Sequence, residues 1–396
     1  MKYVVILGDG MADWPVDKLD GKTPLEAAHK PYMDLLCKNG ITGLVKTVPD
    51  DLPPGSDVAN LSVMGYNPHE YYTGRSPLEA VSMGVEVKPD DTTFRTNLVT
   101  LSDNEPYENK TMIDYSSGEI TTPESRELMR FINEKLGDDI CEFFGGISYR
   151  HLLLWHGLDK QFKLTPPHDI SGKKITEHLP DSEKLLELMK KSYDLLKNHP
   201  INLDRVKRGL HPANSIWVWG QGKKPALSPF KNKYGIKGAV ISAVDLVKGI
   251  GICADMDSID VEGATGNVDT NFPGKAAAAL EALKTNDFVY IHMEAPDECG
   301  HRFEVENKVK AIELIDSQVV KTVYEALKAG GEEFSIMILP DHPTPLKIGT
   351  HTNQPVPFVI YRSDEKEKSG LCYNENAAKE GCYVSEGYTL MDKFLG

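Results

Sequence analysis

The sequence predicts an α/β protein built on a doubly wound, mostly parallel sheet and interrupted by a smaller second domain. Three observations carry this expectation. Short continuous apolar runs alternate with amphipathic helical stretches, the pattern of strands buried on both faces with helices between them. Ligand-type polar residues follow several of those runs directly. The middle of the chain changes character and is dominated by polar amphipathic segments.

Residues 3–7 (YVVIL) read as a first buried strand ending at Gly8-Asp9-Gly10. Thr23-Pro24-Leu25-Glu26 supplies a cap, a proline at the first helical position and an acidic first turn, so a helix is expected from there to near Gly40. Late in the chain, 287–293 (DFVYIHM) precedes Glu294-Ala295-Pro296-Asp297, and the run FSIMIL precedes Pro340-Asp341-His342. Between these runs, Val305, Val309, Ile312, Ile315, Val319, Val323 and Leu327 recur every three or four residues, which predicts one long amphipathic helix over 304–328. A last strand, 356–361, follows His351.

In the middle, 122–136 and 182–198 read as polar amphipathic helices flanking a strand at 150–155 and a turn-rich stretch at 164–174. A strand returns at 215–219. The expected division is a discontinuous domain of residues 1–88 and 213–396, interrupted by an α/β or α+β insert of residues 89–212.

Composition limits what such a protein can do. The 396 residues carry 44 basic and 59 acidic side chains, a formal charge of −15, with 40% hydrophobic and 26% charged residues. That is ordinary globular composition and excludes a disordered chain or an integral membrane protein. The acidic excess argues against nucleic-acid and anionic-membrane partners, both of which need a basic footprint. The amino-terminal apolar run is too short for a signal-peptide core or a bilayer span, so a cytoplasmic location is expected. Six cysteines without a Cys-x-x-Cys pair are expected to be free thiols. An acidic protein repels phosphorylated metabolites unless something local reverses the field.

The polar residues beyond the apolar runs suggest what does so. Asp9 follows the first run; Asp297 and His301, at i and i+4, follow another; Asp341 and His342 follow the next; His351 lies before the last. In doubly wound sheets ligands bind beyond the carboxyl ends of the strands. Each residue alone has a structural explanation as a cap, a turn residue or a partly buried polar group. Four strand ends carrying oxygen and imidazole ligands at once point instead to divalent ions such as Zn²⁺ or Mn²⁺, and six such groups are too many for one tetrahedral site. Two neighbouring metals would use them all. In Pro53-Pro54-Gly55-Ser56-Asp57, Ser56 is either a helix N-cap or a nucleophile, and metal coordination would favour the second by ionising its hydroxyl.

Five segments together, MKYVVILGDGMAD, GSDVANLSVMGYNP, HMEAPDECGHRFE, LPDHPTP and GTHTNQPVPF, resemble the cofactor-independent (2,3-bisphosphoglycerate-independent) phosphoglycerate mutases of archaeal type, in the alkaline phosphatase superfamily. The resemblance runs from the first residue to the last strand. It implies an alkaline-phosphatase-like domain with two divalent ions (Mn²⁺, Zn²⁺ or Mg²⁺) and an inserted transferase domain. Carried over by position, Asp297, His301 and His351 would hold one ion. Asp9, Ser56, Asp341 and His342 would hold the other, and Ser56 would accept the phosphoryl group. Lys275, in Phe272-Pro273-Gly274-Lys275, resembles the family's lysine near the transferred group. Arg150 and His151, with His168 and Asp169, resemble its contacts to substrate carboxylate or phosphate; Arg75 and Arg95 are further candidates, and Asn214 a weaker one.

The resemblance thus implies a phosphoglycerate mutase working on a small phosphorylated metabolite without 2,3-bisphosphoglycerate, through a phosphoserine shielded from water by closure of the insert, with hinges near 88–92 and 210–215. The alternatives are a homoserine kinase of the same family, a metal-dependent phosphomonoesterase, and a non-enzymatic metal-binding module. No GxxxxGK[ST] phosphate loop is present, so a kinase would have to work through the same serine. Oligomeric state is left open.

Overall fold

The first apolar run becomes β1 (Lys2–Gly8), with Val4, Val5, Ile6 and Leu7 all fully buried. In the computed structural model, which describes residues 1–364 and 368–396, β1 is followed by β2 (Ile41–Val45), β3 (Thr92–Leu101), β4 (Met112–Asp114), β5 (Cys141–Ile147), β6 (Arg150–Trp155) and β7 (Ser215–Gly222). The later strands are β8 (Gly238–Ile241), β9 (Asp257–Ile259), β10 (Phe288–Met293), β11 (Phe334–Leu339), β12 (Val356–Arg362) and β13 (Cys382–Val384). The chain divides into two compact units, Met1–Tyr72 with Ala226–Gly396, and Thr73–Pro225.

The first unit holds an eight-stranded sheet in the order β13-β2-β12-β11-β1-β10-β8-β9. Only β12 runs against the rest, antiparallel to both β11 and β2. Helices cover both faces, as expected. On one, Val4, Ile6, Ile291 and Ile338 pack with Met33 and Leu36 of the helix Pro31–Lys38 and Ala276 and Ala279 of the helix Phe272–Ala282. On the other, Gly251 of the helix Asp245–Cys253 lies so close to Val240 that a Cβ there would stand 2.4 Å from its side chain. At about 1.5–3 kcal/mol for each large apolar side chain buried, these faces hold the strands, and the polar residues at their ends owe their places to something else.

The second unit is α+β. Its five strands pair antiparallel throughout, β3 with β4, β6 and β7, and β5 with β6. The helices Thr122–Leu136 and Glu183–Leu196 close its core through Leu128, Ile132, Leu188 and Met189 against Phe94, Leu153 and Trp217.

Four expectations change. The edges of the insert move from 89 and 212 to 73 and 225. The helix Ser76–Ser82 is bound to β3, its Ser76 hydroxyl donating to the Thr93 carbonyl at 3.1 Å, and the returning strand β7 pairs with β3 rather than joining the first sheet. The expected hinges 88–92 and 210–215 therefore both lie inside the second unit, and in the latter Asn214 bonds both the N–H and the carbonyl of Leu101 at 2.8 Å. The helix expected from residue 23 to residue 40 is two, Pro24–Ala27 and Pro31–Lys38, because a residue preceding proline is pushed out of the helical region. The helix over 304–328 opens into a π turn at Ile315–Val320. That turn directs buried Asp316 inward, where its carboxylate accepts from Met33 N–H at 2.6 Å and Tyr32 N–H at 3.3 Å. It caps the helix Pro31–Lys38, whose own N-cap residue supplies no side-chain bond.

Among the described residues none of the six cysteines is in a disulfide. No helix among the described residues is long and apolar enough to cross a membrane.

Candidate metal centre

The strand order explains why distant residues meet. β11, β1 and β10 are neighbours, so Asp341 and His342, Asp9, and the helix Ala295–His301 emerge side by side at their carboxyl ends. Because β12 is reversed, its entry lies at that same end and brings His351. The loop after β2 leads to the helix Ser56–Val63. Gly55, not Ser56, is the N-cap residue of that helix, and the serine hydroxyl meets His342 Nε2 at 3.2 Å.

Two groups of ligand atoms result. His301 Nε2 lies 3.1 Å from Asp297 Oδ2, His351 Nε2 lies 3.3 Å from Asp297 Oδ1, and the two imidazole nitrogens face each other at 2.9 Å. Ligands on one tetrahedral ion at about 2.0–2.2 Å stand roughly this far apart. His301 Nδ1 donates to the Gly349 carbonyl at 2.9 Å, so the nitrogen turned toward Asp297 and His351 is Nε2, which would offer its lone pair to an ion that displaces the Nε2 proton. In the second group, His342 Nε2 is 3.6 Å from Asp9 Oδ1 and 3.4 Å from Asp341 Oδ2. Thr344 donates its hydroxyl proton to Asp297 Oδ1 and lies 3.3 Å from His342 Nδ1. With that proton spent, Nδ1–H of His342 is the donor and its Nε2 is again a lone pair facing inward.

The electrostatics fit bound cations. Asp9 is 2% exposed, and its Oδ1 has no hydrogen-bond partner among the described residues, a costly state for a buried carboxylate oxygen. Burial, then the neighbouring Asp341 and Asp297 carboxylates, raise the Asp9 pKa well above the ordinary range. Asp297 is held well below it by His301 and His351 against the opposing effect of burial, and the Asp297 hydrogen bond lifts His301 to about 9. Three carboxylates converging with three imidazoles suit two divalent ions.

Gly10 permits this approach. Its φ is +60°, and a Cβ there would stand 2.5 Å from Thr344 Oγ1 and 2.6 Å from Asp297 Oδ1.

Other residues of the centre went unpredicted. His292 donates from Nε2 to Asp9 Oδ2 at 2.9 Å, its tautomer set by the Ser242 hydroxyl at 3.2 Å from Nδ1, which itself accepts from Val244 N–H. Asn60 donates to Asp341 Oδ2 at 2.9 Å and to the Ser56 carbonyl at 2.8 Å, and accepts from the Tyr290 hydroxyl at 2.6 Å. A signal existed for both. His292 is the one polar residue inside an otherwise apolar run, and Asn60 lies one helical turn from Ser56. Lys275 is not the exposed helix-start residue its position allows. It is fully buried, its Nζ donates to the His292 carbonyl at 3.0 Å, and burial pulls its pKa to about 8.

The second unit gathers some of the expected substrate contacts. Arg95 stacks 4.3 Å from Trp219 and pairs with Glu79 at 3.1 Å. Burial, opposed by Glu79 and reinforced by Arg75 and Arg150, lowers its pKa. Arg150 lies over Tyr149, and His168 packs between Trp219 and Tyr115. Asp169 is exposed beside His168, at 3.7 Å. His151 does not join them. Alternation along β6 turns it away from Arg150; it is 4% exposed, its Nδ1 accepts from Gly146 N–H, and burial keeps it neutral with a pKa of about 3.

A family described as 2,3-bisphosphoglycerate-independent phosphoglycerate mutase matches residues 37–202. A probable 2,3-bisphosphoglycerate-independent phosphoglycerate mutase of Geobacter sulfurreducens is 51% identical over the whole of both chains, and the enzyme of that name from Methanosarcina barkeri is 52% identical over 96% of each. Among solved structures, the cofactor-independent phosphoglycerate mutase of Thermoplasma acidophilum superposes with a TM-score of 0.70 at 27% identity, covering 100% of this chain and 99% of that one. With relatives this similar along its full length, the chain belongs to the 2,3-bisphosphoglycerate-independent phosphoglycerate mutase family.

Proposed function

We propose that this protein interconverts 3-phosphoglycerate and 2-phosphoglycerate through a phosphoserine on Ser56, without 2,3-bisphosphoglycerate. The observation that carries the reading is the placement of the Ser56 hydroxyl 3.2 Å from His342 Nε2, within a buried set of aspartates and histidines that includes the unpaired Asp9 Oδ1. Asp297, His301 and His351 would hold one divalent ion, and Asp9, Ser56, Asp341 and His342 the other; the mixed donors suit Mn²⁺ or Zn²⁺, with Mg²⁺ less matched to imidazole. When bound, the two ions neutralise phosphoryl oxygens and favour ionisation of a nearby hydroxyl.

The chemistry of the chain's own residues balances without a co-reactant. Ser56 Oγ bonds to phosphorus as the bond from phosphorus to the C3 oxygen breaks, and the serine proton ends on the freed oxygen of glycerate. The reverse transfer to the C2 oxygen completes the isomerisation. Lys275 adds a positive charge at the same strand end. We assign carboxylate capture to Arg150 and Arg75 with Arg95, since planar guanidinium forks match carboxylate geometry, and contacts to the hydroxyls of glycerate to His168 and Asp169, whose side chains can accept from them; His151, being buried, has no part in it. Cysteines outside any disulfide, with Cys372 exposed, favour a reducing, cytoplasmic setting, and the −15 charge favours no nucleic-acid partner.

The kinase and phosphomonoesterase alternatives are not favoured, because the named relatives are mutases. Purified protein in Mn²⁺ should convert 3-phosphoglycerate to 2-phosphoglycerate without net phosphate release, and should form no phosphohomoserine from homoserine and ATP. Phosphate release matching substrate loss, or activity with homoserine and ATP alone, would overturn the reading.

A further inference from the structure

A buried charge pair outside the ligand set joins the loops that carry the centre. Lys308, on the helix Val305–Leu314, and Asp13, four residues beyond Asp9, have fully buried side chains 2.7 Å apart. Asp13 also accepts from Leu346 N–H at 3.2 and 3.1 Å and from Trp14 N–H at 2.7 Å. Lys308 Nζ donates in addition to the Thr344 carbonyl at 2.8 Å. Thr344 is the junction: its N–H donates to the Ala12 carbonyl at 3.3 Å, and its hydroxyl to Asp297 Oδ1. The Thr344 carbonyl rests against the helix Ala295–His301, where a Cβ at Gly300 would stand 2.6 Å from it.

A buried ion pair is a poor device for stability, since an apolar pair of similar size does as well and desolvation is costly. What this one does that an apolar pair does not is hold the Thr344 backbone at one height against the loop after β1 and the helix that presents Asp297.

We propose that Lys308 and Asp13 are positioning residues for the metal centre: acting through Thr344, they set the Asp297 carboxylate so that Oδ1 faces His351 and Oδ2 faces His301. This rests on the reading of Asp297, His301 and His351 as metal ligands. Outer partners of metal ligands change affinity by roughly 10–100-fold when removed.

The test titrates Mn²⁺ into the metal-stripped, full-length protein by calorimetry, counting unbound ion by electron paramagnetic resonance, with circular dichroism confirming that each protein is folded before metal is added. Wild type should take up two ions. Asp13→Asn/Lys308→Met, which removes both charges with little change in volume, should remain folded and bind Mn²⁺ at least tenfold more weakly. Thr344→Val, which removes the hydroxyl and keeps the shape, should lose a similar factor, and Thr344→Ser should restore it. A role confined to stability would lower the unfolding temperature of the metal-free protein and leave the affinity of the folded form unchanged in all three; that result overturns the inference. If the double variant fails to fold, the comparison of valine with serine at 344 decides it. Wild type that binds no divalent ion would overturn the ligand reading itself, and the inference with it.

Discussion

Ser56 and Lys275 show how much a local sequence leaves open about a single residue. Ser56 sits where an N-cap serine would, yet Gly55 takes that position and the hydroxyl points at His342. Ser56→Ala should lower mutase turnover by about 10⁴-fold or more, as loss of a nucleophile does, while the ion held by Asp297, His301 and His351 is retained. Full mutase activity in that variant with metal bound would remove Ser56 from the mechanism. Lys275 carries a pH signature. Burial depresses its pKa from 10.5 to about 8, so a cation required for turnover is present below that pH and lost above it. The pH profile of kcat/KM, which reports the free enzyme, should fall through about pH 8, and Lys275→Arg, whose guanidinium does not titrate, should flatten that limb. The same depression means the folded state is destabilised by the ammonium below pH 8 and relieved as pH rises toward 10.5, where the unfolded chain loses its proton. Lys275→Met should therefore raise stability at pH 7 by at most about 3.5 kcal/mol, the shift from 10.5 to about 8 taken at 1.4 kcal/mol per pH unit, reduced by the loss of the hydrogen bond to the His292 carbonyl, while turnover falls. Urea denaturation set beside kcat would show the opposed changes.

Among the elements, the π turn at Ile315–Val320 has a structural task that the helical spacing of its apolar residues does not reveal. It delivers Asp316 to the open start of the helix Pro31–Lys38. Asp316→Ala would leave two N–H groups there without their acceptor and should cost about 1–2 kcal/mol; Asp316→Asn, which keeps one acceptor oxygen, should cost less. Equilibrium denaturation measures both. The single reversed strand of the first sheet, β12, matters in the same way, because its direction brings His351 to the end of the sheet where the other candidate ligands lie. Apolar runs announced β1, β10, β11 and β12. They did not announce β2, with Gly43 at its centre, the four-residue β8, or the three-residue β9 and β13, which are too short to show a period and are strands only because a neighbour pairs with them.

At the scale of the molecule, the −15 charge and a phosphorylated substrate are reconciled by the centre. Two divalent ions would turn the three converging negative charges of Asp9, Asp297 and Asp341 into a net positive one. Chelation should therefore abolish turnover and phosphate binding together and lower the thermal unfolding midpoint, with added Mn²⁺ restoring all three as mass action requires. A chelated protein that binds inorganic phosphate with unchanged affinity in calorimetry would contradict this account.

The sequence by itself determined the α/β class, announced an insert, and offered a candidate ligand set whose residue types and strand-end positions point to two metals, because buried strands and carboxylate–imidazole chemistry are written in local composition. Only the tertiary structure decided where the insert begins and ends, that His151 is core, and that His292, Asn60 and the Lys308–Asp13 pair stand behind the candidate ligands. Those contacts join residues as many as 295 positions apart, and no local pattern encodes a distance that only the packing of the whole sheet and its helices creates.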